Sequence, residues 1–323
     1  MPPVSKFKSM PNAIQLHQVS KAYGDTQAVN NLDLNIAAGS VYGLLGPNGS
    51  GKTTTLRMIM NILMPDHGEI QIFGRPAGRK EQDQIGYLPE ERGLYSKMKI
   101  LDQLTYFGEL KNVPRAEARR RGQYWLQRLE LSDWVDKKVI ELSKGMQQKL
   151  QFAVTLLADP PILILDELTS GLDPVNASLV REVLLELRGQ GKTILFSTHR
   201  LEDAERLCDS ICLIARGRKL LDGDLQQIRA GFGKQTVRIE FTGEAQWLHQ
   251  APGVRKTDLF DSYAELQLQS ADAAPEVVRF LAPRVNIRKF EILVPSLDEI
   301  FLTTVAAAQT SAARSEQEPA YVH

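Results

Sequence analysis

Apolar and polar residues begin to alternate at Ala13. Ile14-Gln15-Leu16-His17-Gln18-Val19 repeats with period two, the pattern of a half-buried strand. Ala28 to Ile36 alternates more loosely, and Val41-Tyr42-Gly43-Leu44-Leu45 is a short apolar run ending in a glycine-rich turn. From Lys52 the period lengthens: Leu56, Ile59, Met60 and Leu63 fall on one face of a predicted helix. Residues 98–135, rich in Leu, Arg, Glu and Ala, read as mostly helical, and Pro161 to Leu165 and Thr193 to Phe196 read as apolar strands. Apolar strands alternating with helices predict an α/β domain with a sheet buried on both faces.

Around Gly231-Phe232-Gly233 the texture changes. Val237, Ile239 and Phe241 alternate with polar neighbours, as do Ala264, Leu266 and Leu268. A helix near Glu276–Leu281 and a strand near Val285–Val294 follow, and Ser296-Leu297-Asp298-Glu299 is a capping box that opens a last helix through Val305. The predicted organisation is a polar N-terminal tail (1–12), an α/β domain (13–230), a small α+β domain (231–306) and a disordered tail (307–323). No internal repeat is visible.

Composition narrows the classes without choosing among them. The chain has 323 residues, 43% hydrophobic and 24% charged, with 39 basic and 39 acidic side chains. A basic field for nucleic acid is therefore absent. The cluster Arg115, Arg119, Arg120, Arg121 reads as a solvated helix face, with RNA contact as the alternative. Cys208 and Cys212 cannot make a disulfide scaffold; their spacing predicts one face of a helix, as small reduced apolar residues. No apolar run approaches the ~18–20 residues of a membrane-spanning helix, and residues 1–12 lack the apolar core of a signal peptide. The expectation is a cytosolic chain that works at a membrane only by docking on another protein.

The chemistry begins at Gly46-Pro47-Asn48-Gly49-Ser50-Gly51-Lys52-Thr53, which matches G-x-x-x-x-G-K-[ST] between an apolar strand and an amphipathic helix. Glycines let the backbone curl so that its N–H groups point at phosphate oxygens, and the helix presents its positive end to the same anion. Lys52 can reach the β- and γ-phosphates of a nucleotide, and the Thr53 hydroxyl can ligate Mg²⁺. Downstream, Pro161-Ile162-Leu163-Ile164-Leu165-Asp166-Glu167 is an apolar strand ending in two acids. Asp166 is placed to hold Mg²⁺, and Glu167 to orient and deprotonate the attacking water.

Three further segments give a specific resemblance. Leu142-Ser143-Lys144-Gly145-Met146-Gln147-Gln148 resembles the L-S-G-G-Q signature motif of ATP-binding cassette (ABC) ATPases, just before the acidic strand, where that family has it. Ser170-Gly171-Leu172-Asp173 resembles the family's D-loop, and Ser197-Thr198-His199 its switch histidine. Tyr23 stands where the family places an aromatic that stacks on adenine. The resemblance covers roughly residues 13–230. It implies a P-loop NTPase-type ABC ATPase domain with a helical subdomain, beside the small C-terminal α+β domain. It implies ATP and Mg²⁺ as ligands, with Gly46 to Thr54 (Thr54 included), Tyr23 and Glu90 around the nucleotide. It implies a head-to-tail dimer in which Ser143 and Gly145 contact the γ-phosphate bound on the other copy and Asp173 lies at the dimer interface. His199 would hydrogen-bond the γ-phosphate. Metal ligands would be Thr53, Asp166 and Glu90, and the signature helix would run from about Met146 to Leu157.

Several positions depart from the family pattern. Lys144 and Met146 replace a glycine and the glutamine of the signature, and Leu168 stands where proline often follows the glutamate. In Ile85-Gly86-Tyr87-Leu88-Pro89-Glu90-Glu91-Arg92, Glu90 occupies the place of the Q-loop glutamine; a solvated Glu-Glu-Arg turn is the alternative. This stretch, Met98–Leu110, the segment from Gly171 to Asn176 and the C-terminal domain with Pro295-Ser296-Leu297-Asp298-Glu299-Ile300-Phe301 resemble ATPase subunits of bacterial exporters that pair with separate permeases, the sodium-extrusion and drug-export group. The expected function is thus the ATP-hydrolysing subunit of an exporter, peripheral on the cytoplasmic face of the membrane, with no nucleic-acid partner. A soluble ABC ATPase acting on ribosomes or nucleic acid is the alternative, and a nonhydrolysing switch is disfavoured by the retention of Glu167 and His199. Trp247, His249 and Tyr263 read as packing residues of a regulatory or dimer-stabilising C-terminal domain.

Overall fold

The computed structural model describes residues 12–91, 93–232, 236–293 and 295–315. Most of the expected N-terminal tail, Arg92, Gly233, Val294 and residues 316–323 lie outside that set. The chain divides into two compact units, up to Asp224 and from Leu225. The division falls six residues before the expected boundary at 230, so the helix after Asp224 belongs to the second unit.

The first unit carries two sheets. β1 (Asn12–Tyr23), β2 (Thr26–Ala37), β4 (His67–Ile72) and β5 (Arg75–Pro76) form an antiparallel sheet in the order β2-β1-β4-β5. The second sheet contains β3 (Val41–Leu45), β6 (Ile85–Leu88), β7 (Ile162–Asp166), β8 (Thr193–Thr198), β9 (Ser210–Ala215) and β10 (Arg218–Asp224), ordered β10-β9-β3-β8-β7-β6. Five of its strands are parallel; β10 pairs antiparallel to β9. Every residue of β3, β7 and β8 is buried, as expected for central parallel strands covered on both faces. Ile164, Leu195, Leu44 and Ile214 from this sheet share one core with Ile14, Leu16 and Leu34 of the other.

The helices follow their strands. α1 (Lys52–Ile59) leaves β3 through the glycine loop, and α2 (Arg79–Gln82) precedes β6. α1 stops before Leu63 because Asn61 turns into the left-handed region, φ +51°; Leu63 still packs against the core from the following turn. Residues 98–135 are mostly helical, as expected, in two helices, α3 (Ile100–Leu110) and α4 (Arg115–Arg128), separated by Asn112 at φ +61° and Pro114. Within α4, Arg120 and Arg121 pair with Glu117, the solvated-face pattern expected of this basic cluster. α5 (Lys144–Leu156), α6 (Pro174–Gly189) and α7 (Leu201–Leu207) complete the unit. Cys208 caps α7 while Cys212 lies within β9, so the two do not share a helix face; the period changes between them at Ser210.

The second unit comprises α8 (Leu225–Gly231), β11 (Thr236–Thr242), α9 (Gln246–His249), β12 (Val254–Leu259), β13 (Ala264–Leu268), α10 (Ala274–Leu281), β14 (Asn286–Leu293) and α11 (Leu297–Ser315). Its four strands are all antiparallel, in the order β12-β13-β11-β14. Val237, Ile239, Leu266 and Leu268 face Val277 and Leu281 in a separate core. Ser296 and Glu299 make the reciprocal capping box that their spacing predicts. α11 runs ten residues past its expected end at Val305. The alanines at 306, 307, 308, 312 and 313, the strongest helix formers, outweigh the polar content that suggested disorder. Among the described residues no helix is long and apolar enough to cross a membrane.

Candidate active site

The glycine loop leaves β3 in a conformation that requires its glycines at two points. At Gly46, φ is +152° and an added Cβ would meet the Ile214 carbonyl oxygen at 2.1 Å; at Gly51, φ is +108° and a Cβ would meet the Ala28 carbonyl oxygen at 2.3 Å. The loop is therefore wrapped tightly on neighbouring backbone, and the Ser50 N–H closes a turn on the Pro47 carbonyl at 3.2 Å. Lys52, first residue of α1 and nearly fully buried, donates from Nζ to the Gly46 and Pro47 carbonyls at 2.8 and 3.1 Å. Burial lowers its basicity, opposed by Glu167, Asp166 and Glu90. A cavity of about 340 Å³ opens over this loop, lined by Asn48, Gly49, Gly51, Lys52, Thr53, Thr54, Glu90, Glu167 and Ala28. Ala28 is the lining residue that sequence reasoning missed; nothing local marks a small strand residue as floor of a cleft.

Just beyond β7, Glu167 lines the same cleft, whereas Asp166, the last residue of the strand, does not. Asp166 is fully buried. Its Oδ1 accepts from the Ser197 hydroxyl, and its Oδ2 has no hydrogen-bond partner. Glu167 takes φ +51°, rare for a residue with a side chain, which turns its carboxylate out of the strand direction. Its N–H donates to the Ser197 carbonyl at 3.2 Å, tying it to β8. His199, just beyond β8, places Nδ1 at 3.0 and 2.9 Å from the two Glu167 oxygens. A carboxylate only accepts, so Nδ1 carries the proton in this contact. Behind them, buried Asp203 accepts from the Thr169 hydroxyl at 2.8 Å and from Arg181 at 3.3 Å, joining the segment after Glu167 to α6 and α7.

The signature and D-loop residues pack together elsewhere. Ser143 caps α5, its Oγ accepting from the Met146 N–H at 3.3 Å, and α5 begins at Lys144, two residues before the expected start. A Cβ on Gly145 would lie 3.4 Å from the Gly171 carbonyl oxygen, so the signature turn rests on the D-loop. Asp173 caps α6 through the N–H groups of Val175 and Asn176 at 3.0 and 2.9 Å, and these bonds hold its carboxyl below the usual range. None of Ser143, Gly145 or Asp173 lines the loop cavity, nor does half-exposed Tyr23 at the end of β1. Glu90 does, so the stretch after β6 enters the cleft.

The donor set suits a divalent cation. Asp166 Oδ2 is buried with no hydrogen-bond partner, Thr53 and Glu90 line the cleft, and Asp166 and Glu90 both act electrostatically on Lys52. Hard oxygen ligands of this kind, few in number, fit a metal that is also held by phosphates.

Comparison with known proteins decides the family. Over 294 residues the chain is 43% identical to an uncharacterized ABC transporter ATP-binding protein, YhaQ, of Bacillus subtilis (strain 168), covering 91% of this chain and 99% of that one. The chain belongs to the ABC transporter ATPase family. Residues 29–170 match the ABC transporter family, and residues 223–305 match the C-terminal domain of DrrA1-3-like ATP-binding proteins. The Nod factor export ATP-binding protein I of Paraburkholderia xenovorans (strain LB400) is 41% identical over 296 residues, 90% of this chain and 96% of that one. Among solved structures, an ATP-binding subunit of an ABC transporter superimposes with a TM-score of 0.63 at 30% identity, over 68% of this chain and 93% of that one. A dimeric post-hydrolysis cassette bound to ADP and Pi does so with a TM-score of 0.61 at 28% identity, over 66% and 98%. The protein is the ATP-binding, ATP-hydrolysing subunit of an ABC transporter. These relatives favour the transporter over the ribosome- or nucleic-acid-directed alternative.

Proposed function

We propose that this cassette powers an exporter as a head-to-tail dimer on the cytoplasmic face of the membrane, coupled to a separate permease. The observation that carries the dimer is the division of the site. The phosphate loop, Glu90 and Glu167 line one cleft, while Ser143 and Gly145 lie outside it on the α5 terminus. A second copy, turned end to end, brings its Ser143 and its α5 N-terminus to the γ-phosphate, where the helix dipole favours the anion. Asp173, next to the signature turn, then lies between the copies, and Tyr23 stacks on adenine.

Each residue has a task toward ATP. Gly46 to Gly51 wrap the β-phosphate with backbone N–H groups. Lys52 leaves the Gly46 and Pro47 carbonyls for the β- and γ-phosphate oxygens, so two bonds to neutral carbonyls are exchanged for pairing with an anion. Thr53, Asp166 and Glu90 would hold Mg²⁺, which when bound would neutralise phosphate charge. Glu167 accepts the proton of the attacking water, and His199 holds the Glu167 carboxylate in place and reads the γ-phosphate. Export as the direction rests on the Nod factor export relatives. The aromatic group of Tyr95, Tyr106 and Phe107, with ring centroids 5.7–5.9 Å apart, presents a half-exposed Tyr95 as the permease-facing surface beyond Glu91.

The test is purification from the host's own membranes through a tag on this chain, identification of any multi-span membrane protein that accompanies it, and reconstitution of the two in liposomes. The parent protein is expected to bring the permease with it and to hydrolyse ATP. Lys52→Ala is expected to bring the permease but to lose turnover and weaken ATP binding. Normal hydrolysis by Lys52→Ala, or absence of the permease from the purified parent, would refute the assignment.

A further inference from the structure

We infer that Gln151 is a positioning residue for Glu90: it fixes the carboxylate that meets the cation to the helix that carries the signature motif. The inference rests on the proposed role of Glu90. Gln151 lies on α5, nearly fully buried, and its Nε2 donates to two backbone carbonyls, Pro89 at 3.1 Å and Glu91 at 3.2 Å. These are the carbonyls on either side of Glu90. One amide therefore holds both ends of the peptide segment that aims the Glu90 side chain into the cleft.

The choice of side chain at 151 argues for this task. Gln151 Oε1 is buried with no hydrogen-bond partner. Half of the amide's capacity is unmet in a place where an apolar residue would leave nothing unpaired of its own. Loss of the Nε2 donor, however, would strip a partner from two carbonyls at once. A glutamate could not substitute, because its carboxylate would face two carbonyl oxygens and offer no donor.

The location on α5 gives the contact a consequence. Ser143, at the N-cap of the same helix, is eight residues away, about 12 Å along a rigid rod. One turn closer to the cap, buried Gln148 donates from Nε2 to the Leu168 carbonyl at 3.1 Å, directly after Glu167. The helix whose terminus would meet the partner's nucleotide thus holds, through two buried amides, both loops that carry the carboxylates of its own site. Movement of α5 on dimer closure displaces Glu90 with it.

The experiment compares the parent, Glu90→Gln, Gln151→Met and the double variant. Two quantities are read: the Mg²⁺ concentration giving half-maximal ATPase, and ATP affinity by calorimetry with and without Mg²⁺. Gln151→Met is expected to raise the Mg²⁺ requirement on the order of tenfold, the usual effect of removing a group that orients a metal ligand. ATP affinity without Mg²⁺ should stay unchanged, and the double variant should match Glu90→Gln alone. Gln151→Leu serves as a second apolar replacement should the methionine variant not fold. A Gln151→Met curve superimposable on the parent, while Glu90→Gln is shifted, overturns the inference and leaves the role of Glu90 standing. Equal shifts by Gln151→Met in both backgrounds also overturn it, because the residue then acts without Glu90. An unshifted Glu90→Gln curve overturns the role of Glu90 and the inference together.

Discussion

Replacing Glu167 by glutamine isolates proton transfer from every other contribution of that residue. The side chain keeps its size, and the backbone at φ +51° with its N–H bond to the Ser197 carbonyl is untouched. His199 Nδ1–H now has two carboxylate oxygens within 3.0 Å and needs only one acceptor, which the amide oxygen provides. What disappears is the ability to take a proton from water. General-base removal slows a reaction by roughly 10²–10⁴, or about 3–5 kcal/mol of barrier. The assay is phosphate release at saturating ATP and Mg²⁺, beside equilibrium ATP binding. Glu167→Gln is expected to bind ATP as the parent does and to turn over at least a hundredfold slower. Turnover within tenfold of the parent, with binding intact, would refute Glu167 as the base.

Two further outcomes follow from buried groups. Asp203→Ala leaves Arg181 and the Thr169 hydroxyl without their acceptor in a nearly dry setting; loss of one partner of such a pair costs about 3 kcal/mol, so chemical denaturation should show a clearly lowered midpoint, and an unchanged midpoint would contradict the linkage. Burial pushes both cysteine thiols well above the usual range. Native Cys212 should therefore resist thiol reagents at pH 8, and both should react once unfolded. Stability should fall as pH rises past about 9, where unfolded thiols ionise and folded ones do not; rapid labelling of native Cys212 would contradict this.

What the sequence revealed was the chemistry written contiguously. Val41 to Thr53 and Ile162 to Glu167 each carry a strand and the functional groups that follow it in one contiguous run, so local pattern and chemistry coincide. The same holds for the capping box at Ser296. What stayed hidden depends on contacts between distant segments. Nothing near Ala28 marks it as the floor of the cleft, and Asp203 looks like an ordinary first-turn acid until Thr169 and Arg181 arrive from other elements. Gln151 lies sixty residues from the carbonyls it holds. The spacing of Cys208 and Cys212 does not put them on one helix face, because a four-residue spacing is helical only while the helix lasts, and α7 ends at Leu207.

The account stands on an ATP site shared by two copies. The most direct measurement is light scattering of Glu167→Gln with saturating ATP and Mg²⁺, against the same protein without nucleotide and with the additional replacement Ser143→Arg. The account predicts a mass twice that of the 36.1 kDa chain only when ATP is present and Ser143 is retained. A single-chain mass with ATP bound at full occupancy, or an ATP-induced dimer indifferent to Ser143→Arg, would contradict it.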